Sequence, residues 1–262
     1  MLKIGTRGSL LALAQAELAR AALLAAHPAL ADPGIEIVPI KTTGDKVQDR
    51  TLAAIGGKGL FTKEIEEALR DGRVDLGVHS MKDMPTVLPE GLTIAALLER
   101  EDPRDALISP VADSIANLPA RAVIGTASLR RQAQVLAKRP DLVVQPLRGN
   151  VGTRLDKLAR GEAAATLLAV AGLKRLGKIS AATAVLSIDE MLPAVAQGAI
   201  GIEIRTGDSR LRELVAVIDH APTSIAIAAE RAMLAVLDGS CRTPIAGYAE
   251  IAGAQMRLRG LI

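Results

Sequence analysis

The sequence Gly77-Val78-His79-Ser80-Met81-Lys82-Asp83-Met84-Pro85 contains the strongest indication of how this chain folds. Residues 74–79 predict a buried strand, and Met84-Pro85 ends that strand in a loop. Asp83 then lies at the carboxyl end of the strand, which is where open α/β sheets bind their ligands. A carboxylate beside Lys82 is also typical of an ordinary surface ion pair, so these residues alone leave both interpretations open.

Strands and helices alternate on both sides of this stretch. The pattern predicts strands over 2–5, 35–41, 74–79 and 92–98, with helices over 10–26 and 60–70 between them. After a charged passage over 99–104 the order repeats, with strands over 123–126, 142–147 and 166–171 and helices over 129–138 and 151–160. Ile4-Gly5-Thr6 before Ser9 resembles Ile124-Gly125-Thr126 before Ser128, which indicates two similar α/β modules. Two such modules facing each other form a cleft, the usual place for a ligand.

The last third of the chain departs from this repeat. A strand over 200–205 follows a long excursion, and we expect it to return to the sheet of the first module. Helices over 209–218 and 223–237 come next, and the residues over 245–262 alternate enough for two or three strands. These closing residues are too few for a complete domain of ordinary size.

The composition excludes several classes of protein. The 262 residues carry 32 basic and 29 acidic side chains, a net charge of only +3, and the aromatic residues are Phe61 and Tyr248. So small an excess of charge with so few aromatic rings makes nucleic acid an improbable partner. The three histidines have no metal-binding spacing, and we expect no metal. The apolar run over 10–26 is too short and too charged, at Glu17 and Arg20, to cross a membrane.

Basic side chains recur where strands end and helices begin. They are Arg7, Lys58, Arg130, Arg131, Arg148, Arg154, Lys174 and Arg175. Cations in the first turn of a helix oppose the helix dipole, so the Arg130-Arg131 pair calls for a compensating anion. The planar guanidinium suits carboxylates or phosphates. About half of such arginines in any protein are simply solvated, but their gathering at the ends of two facing modules predicts a multiply anionic ligand.

Cys241 is the single cysteine, which rules out an intramolecular disulfide and fits a reducing, cytoplasmic compartment. A lone cysteine is most often a small buried apolar residue. Its position in Gly239-Ser-Cys-Arg-Thr-Pro244, a turn next to Arg242, favours a reactive or covalently modified thiol instead. Both interpretations stand on the residues alone.

These motifs together resemble the porphobilinogen deaminase (hydroxymethylbilane synthase) family over nearly the whole chain. The matching stretches are Ile4-Gly-Thr-Arg-Gly-Ser9, Gly56-Gly-Lys-Gly-Leu-Phe61, Val78-His-Ser-Met-Lys-Asp83, Glu99-Arg-Glu-Asp-Pro-Arg-Asp105, Ser128-Leu-Arg-Arg-Gln132, Leu147-Arg-Gly-Asn-Val-Gly-Thr-Arg154, Leu168-Ala-Val-Ala-Gly-Leu-Lys-Arg175 and Gly239-Ser-Cys-Arg-Thr-Pro244. So many matches in the same order exclude coincidence.

The resemblance implies two α/β domains like the lobes of periplasmic binding proteins, with a small, shortened α+β C-terminal domain. The expected boundaries are 1–98 plus 195–217 for the first domain, 99–194 for the second and 218–262 for the third. The resemblance also implies a monomeric transferase of tetrapyrrole and haem biosynthesis. Such an enzyme condenses four porphobilinogen molecules, with loss of ammonia, onto a dipyrromethane primer and then releases hydroxymethylbilane by hydrolysis.

The same resemblance assigns roles to residues. Asp83 is the expected catalytic carboxylate, and Cys241 is expected to hold the dipyrromethane cofactor through a thioether. The other cofactor-binding residues are expected to be Ser80, Lys82, Thr126, Ser128, Arg130, Arg131 and Arg154. The expected substrate-binding residues are Arg7, Ser9, Lys58, Arg148 and Arg175.

Three departures from the family pattern accompany this resemblance. Ala54 replaces a frequent lysine, Ala164 replaces a frequent aspartate, and the sequence ends at Ile262, earlier than the family usually does. The alternative function is a non-catalytic, two-lobed carrier of small anions with a similar fold. Asp83 and Cys241 discriminate between the two, because a carrier needs neither.

Overall fold

The computed structural model describes residues 1–46, 59–239 and 243–262, so Ala54, Lys58 and Cys241 lie outside the described residues. The strands are β1 (Leu2–Arg7), β2 (Ile35–Ile40), β3 (Leu76–Ser80), β4 (Leu92–Leu97), β5 (Asp105–Ile108), β6 (Val123–Gly125), β7 (Val143–Gln145), β8 (Ala165–Ala169), β9 (Ala184–Val185), β10 (Ile200–Arg205), β11 (Ala246–Ala252) and β12 (Gln255–Leu261). The helices are α1 (Leu10–Ala26), the single turn α2 (Thr43–Lys46), α3 (Lys63–Arg70), α4 (Leu129–Lys138), α5 (Val151–Ala159), α6 (Val170–Arg175), α7 (Ser209–Ala216) and α8 (Ala221–Val236). None of the described helices combines the length and the apolar character that a membrane span requires.

The first sheet has the strand order β2-β1-β3-β10-β4. β1 pairs in parallel with β2 and β3, whereas β10 runs antiparallel between β3 and β4. The expected return of the strand over 200–205 to this sheet is therefore confirmed. Helix α1 covers the sheet with Ala16 and Ala19, both fully buried, and these small side chains let the helix pack closely against Ile4 and Val78.

The second sheet repeats this plan, with the order β7-β6-β8-β5-β9. β6 is parallel to β7 and β8, and β5 is antiparallel to both β8 and β9. In each sheet, the strand next to the third strand of the βαβαβ unit runs antiparallel to it: β10 lies beside β3, and β5 lies beside β8. The two similar modules predicted from the sequence are thus confirmed in strand order and direction.

One local prediction is wrong, and two short strands were not predicted. The strand expected over 166–171 ends at Ala169, and Val170–Arg175 is helix α6, because an unbroken apolar run has no period that separates strand from buried helix. Strands β5 and β9 were not predicted at all.

The C-terminal part of the chain consists of helix α8 and the β11–β12 hairpin, which pairs from Ala246 with Leu261 to Ala252 with Gln255. Of the two or three strands expected, the structure contains two. Helix α8 packs against the hairpin on one side, and Ile227 joins a cluster with Met81, Met84 and Leu97 of the first sheet on the other. This packing places the C-terminal part next to the end of β3.

Candidate active site

A cavity of about 920 Å³ opens where the carboxyl ends of the strands in both sheets meet the C-terminal part. Its walls come from the turns after β1, β3, β6 and β7, from helix α6, from the crossover 194–199, and from Leu234, Thr243 and Ile245. Eleven of the predicted site residues line it: Arg7, Ser9, Ser80, Lys82, Asp83, Ser128, Arg130, Arg131, Arg148, Arg154 and Arg175. These side chains therefore lie at the carboxyl ends of the strands, which is where open α/β sheets bind their ligands.

Asp83 lies on a short 3-10 turn, Met81–Asp83, directly after β3. Met81 anchors that turn: it is buried and donates its backbone N–H to the Ala199 carbonyl. Lys82 points to the same cavity, and its removal from solvent lowers the pKa of its amine to about 8, although the neighbouring Asp83 opposes that shift. Ser80 completes the group by hydrogen bonding to the Gln15 amide at 2.7 Å.

Arg130 and Arg131 do have a compensating anion, but it belongs to the protein. The two oxygens of the buried Asp105 carboxylate each accept a hydrogen bond of 2.7 Å, one from Arg130 and one from Arg131. Burial by itself would raise the pKa of Asp105, but the two guanidinium groups outweigh it and hold that pKa well below its usual range. The inference that this pair requires an external anion is therefore corrected, although both arginines still line the cavity.

Arg148 and Arg154 carry charge that the described residues do not neutralise. Arg148 Nη1 is buried without a hydrogen-bond partner there, and Arg154 Nε donates to the Gly149 carbonyl at 2.9 Å. Desolvation, together with the charges of Arg131 and Arg148, lowers the pKa of the Arg154 guanidinium to about 10. A cluster of desolvated cations of this kind is stabilised when an anion binds among them.

Two further arginines and two serines of the predicted site also have partners within the protein. Arg7 stacks on the Phe61 ring, 4.2 Å from its centroid, and Arg175 donates to the Gly198 carbonyl at 2.7 Å. Ser9 and Ser128 are helix caps, since they accept hydrogen bonds from the backbone N–H groups of Ala12 and Arg131 respectively.

Thr126 is not among the cavity-lining residues. It is 3% exposed, and its hydroxyl accepts a hydrogen bond from the Ser128 backbone N–H, so it supports the turn from beneath. Ala164 precedes β8 and donates its backbone N–H to the Val123 carbonyl. Lys58 and Cys241 lie outside the described residues, but Thr243, two positions after Cys241, lines the cavity.

Sequence reasoning missed Asp105, Gln15 and Gln197. Asp105 is contained in Glu99-Arg-Glu-Asp-Pro-Arg-Asp105, a stretch that matches the family pattern and follows on from the charged boundary over 99–104, but the sequence gives Asp105 itself no role. Gln197 donates to the Pro103 carbonyl at 2.7 Å and to Asp105 at 3.0 Å, and it also lines the cavity. No pattern in the sequence pairs either glutamine with its partner, because the contacts join residues far apart in the chain.

The charge of the cavity limits what it can bind. Among the lining residues that the structure describes, Asp83 is the one carboxylate, against nine cations: Arg7, Lys41, Lys82, Arg130, Arg131, Arg148, Arg154, Arg175 and Lys178. No group of three potential metal ligands occurs within the described ranges. The buried, unpartnered Nη1 of Arg148 and the neighbouring cations fit an elongated ligand with several carboxylates.

Comparison with known proteins gives consistent matches. The family model described as "Porphobilinogen deaminase, dipyromethane cofactor binding domain" matches residues 2–213, and the model of the porphobilinogen deaminase C-terminal domain matches residues 224–262. The porphobilinogen deaminase of Paracoccus denitrificans is 57% identical over the whole chain, which covers 83% of that protein. The chloroplastic porphobilinogen deaminase of Oryza sativa is 60% identical over 95% of the chain and 70% of its own length.

Solved structures agree at the level of the fold. A nutrient-binding protein from Burkholderia cenocepacia, solved with methionine, superposes with a TM-score of 0.51 at 12% identity, over 85% of this chain and 93% of its own. The methionine-binding protein MetQ gives 0.50 at 13% identity, over 88% and 94%. These likenesses show the two-lobed fold of periplasmic binding proteins that the sequence predicts.

Proposed function

The chain belongs to the porphobilinogen deaminase family, and on that premise we propose how its cavity performs the family's reaction. It is a transferase, a hydroxymethylbilane synthase of tetrapyrrole biosynthesis, and its cofactor is dipyrromethane. Four porphobilinogen molecules are condensed with loss of ammonia, and hydroxymethylbilane is released by hydrolysis. Family membership at this identity favours this function over a non-catalytic anion carrier.

The observation that carries the assignment of roles is that Asp83, the one carboxylate among the described lining residues, faces a cavity of cations. Loss of ammonia from porphobilinogen leaves an electron-poor pyrrole, and a fixed carboxylate stabilises the positive charge that develops on it. The same carboxylate accepts and returns the proton that moves in each condensation. Asp83 is therefore assigned as the catalytic residue.

The cations have the role of binding carboxylates. Each pyrrole of cofactor and substrate carries two of them, so the arginines are needed in number although the net charge of the protein is small. Lys82, Arg130, Arg131 and Arg154, with Ser80 and Ser128, would hold the cofactor, and Thr126 would support them from below. Arg7, Ser9, Lys58, Arg148 and Arg175 would bind the incoming substrate. When bound, the dipyrromethane supplies the pyrrole position to which the first substrate is joined.

Three domains with the boundaries 1–98 plus 195–217, 99–194 and 218–262 are part of the proposal. Strands β1 to β4 and β10 fall within the first, β5 to β9 within the second, and α8 with the hairpin within the third, which supports these boundaries. A cytoplasmic, monomeric enzyme is the remaining part. The single cysteine supports the cytoplasmic location, and the monomer is the expectation for the family. Light scattering on the purified protein checks the monomer, and cell fractionation checks the location.

Intact mass of the purified protein tests the proposed function directly, with a Cys241→Ser variant beside it. We expect the wild type to exceed the mass of its sequence by one dipyrromethane unit and the variant to match its sequence. If the wild type is unmodified, incubation with porphobilinogen and a second mass distinguish an unloaded enzyme from a carrier. A mass that stays unmodified, without formation of hydroxymethylbilane, contradicts the proposal.

A further inference from the structure

The Asp105 carboxylate lies behind the cavity wall without lining the cavity. It begins strand β5, is 0% exposed, and bridges the side chains of Arg130 and Arg131, which are adjacent in the first turn of α4. One of its oxygens also accepts a hydrogen bond of 3.0 Å from Gln197 Nε2. Both oxygens therefore accept hydrogen bonds from protein donors, Oδ1 from two and Oδ2 from one.

Two neighbouring guanidinium groups would repel each other and diverge in the absence of an anion between them. Asp105 removes that repulsion and also fixes the two groups at the spacing of its own oxygens. Backbone carbonyls complete the restraint, because Arg130 Nη1 donates to Leu192 and Arg131 Nη1 donates to Leu167, each at 2.7 Å. Each guanidinium is thus held at two of its nitrogens.

Donors remain after these contacts are made. A guanidinium has five N–H groups, and in the described part of the chain each of these arginines gives one to Asp105 and one to a backbone carbonyl. The second N–H of every Nη atom is left over. Both side chains line the cavity, whereas Asp105, Leu167 and Leu192 do not, and the Nε atoms of both arginines are buried without a partner among the described residues. The leftover Nη donors are therefore the polar groups that each arginine can offer to a ligand in the cavity.

We propose that Asp105 is a positioning residue that presents Arg130 and Arg131, as one rigid pair, to the carboxylates of the bound ligand. It acts through the two arginines and does not touch the ligand. The inference rests on the proposed function, because it takes the ligand to be the dipyrromethane and the chain that grows on it. Gln197 extends the restraint by tying Asp105 to the crossover 194–199, which itself lines the cavity.

Asp105→Asn tests the inference. An asparagine places an acceptor oxygen before one arginine and an NH₂ donor before the other, so one of the guanidinium groups keeps only its backbone carbonyl anchor. Two quantities are measured: the fraction of purified protein that carries the dipyrromethane mass, and kcat and KM for porphobilinogen per loaded molecule. We expect the loaded fraction to fall and KM to rise about tenfold or more, the loss of roughly one charge-assisted hydrogen bond. We expect kcat to stay within about threefold, because Asp83 is untouched.

Two further variants complete the design. Asp105→Glu keeps the charge and both acceptors at a shifted position, and we expect values between those of the wild type and Asp105→Asn. Asp102→Asn is the matched control. Asp102 lies three residues before Asp105, binds Arg104 through both of its oxygens and does not line the cavity. We expect it to leave the loaded fraction and KM unchanged.

The outcomes separate the inference from the proposed function. A purely structural role would lower the yield and the Tm of Asp105→Asn and leave the loaded fraction and KM of the folded protein at wild-type values, which would overturn the inference. If Asp105→Asn does not fold, Asp105→Glu decides, and unchanged loading and KM in that variant overturn it as well. A wild type that never carries dipyrromethane counts against the proposed function, and the inference falls with it.

Discussion

Asp83 and Asp105 show how two aspartates in one protein take opposite roles. Asp105 is fully buried and bound to two arginines, whereas Asp83 is partly exposed to the cavity and forms no hydrogen bond or ion pair with the residues that the structure describes. A carboxylate already neutralised by two guanidinium groups has little left to offer a substrate. Asp83 keeps its charge available, and this is what stabilisation of a developing cation requires.

Substitution of Asp83 by asparagine keeps the shape of the side chain and removes its charge. We expect kcat to fall by roughly 10²- to 10⁴-fold, the usual contribution of a positioned acid–base group. The fold and the dipyrromethane mass should be retained, because the wall of cations is unchanged. Steady-state kinetics and intact mass check this, with Asp113→Asn, an exposed carboxylate bonded to Asn117 outside the cavity, as the control. Near-normal turnover of Asp83→Asn would remove Asp83 from its assigned role.

Elements with a clear period or a clear cap were predictable from the sequence. Helix α4 has the predicted bounds, because Ser128 caps it and its charged and apolar residues alternate with helical period. The return of β10 to the first sheet was also predictable, because one more strand follows a long excursion after the second module. Strand β5 was not, because its four residues begin with a buried aspartate at the end of a charged run. The partners of that aspartate are Arg130 and Arg131, which lie 25 and 26 residues further along the chain.

Helix α3 and strands β3 and β10 enclose three ionisable side chains that the reaction does not use. His79 of β3 lies 2.9 Å from a carboxylate oxygen of Glu203 of β10, and Glu66 of α3 is buried beside them. One oxygen of Glu66 and one of Glu203 have no hydrogen-bond partner within the described residues. Desolvation, followed by the charge of Glu203, raises the pKa of Glu66, although Thr62, His79 and Arg70 oppose the shift.

The raised pKa of Glu66 makes stability depend on pH in a defined direction. The folded state holds this proton more tightly than the unfolded state does, so the stabilisation is complete below the unfolded pKa of about 4.3 and is lost as the pH rises through the folded value. A Glu66→Gln substitution imitates the protonated form at every pH. We therefore expect the Tm of the variant, relative to the wild type, to increase as the pH is raised from about 5 to about 8.

Thermal unfolding across that range of pH checks this expectation. Glu67→Gln is the control, because Glu67 is the exposed neighbour of Glu66 on the same helix. A difference in Tm between Glu66→Gln and the wild type that is constant with pH would show that Glu66 is ionised in the folded protein at every pH tested.

At the scale of the whole molecule, one buried carboxylate joins the three parts of the chain. Glu230 of α8 is 0% exposed and accepts hydrogen bonds from Arg100 at 2.6 Å, from the Ala196 backbone N–H at 2.6 Å and from the Ala249 backbone N–H at 2.8 Å. Arg100 and Ala196 lie on the two crossovers between the sheets, and Ala249 lies on β11. Arg100 also lies over the Tyr248 ring of the hairpin, 5.1 Å from its centroid.

Glu230→Gln replaces this carboxylate by a group of the same size that has one acceptor fewer and carries no charge. Arg100, whose side chain is only 10% exposed, then remains without a counter-ion, a situation that typically costs about 3–5 kcal/mol for a buried pair. For a chain of this length that corresponds to a fall in Tm of roughly 10 °C. Because the lost contacts connect α8 and the hairpin to both crossovers, we also expect calorimetry to resolve an early transition in which the C-terminal part separates from the two sheets. Glu213→Gln, at an exposed position on α7, should change neither quantity. A single transition at the wild-type Tm would mean that apolar packing around Ile227, rather than Glu230, holds the C-terminal part against the end of β3.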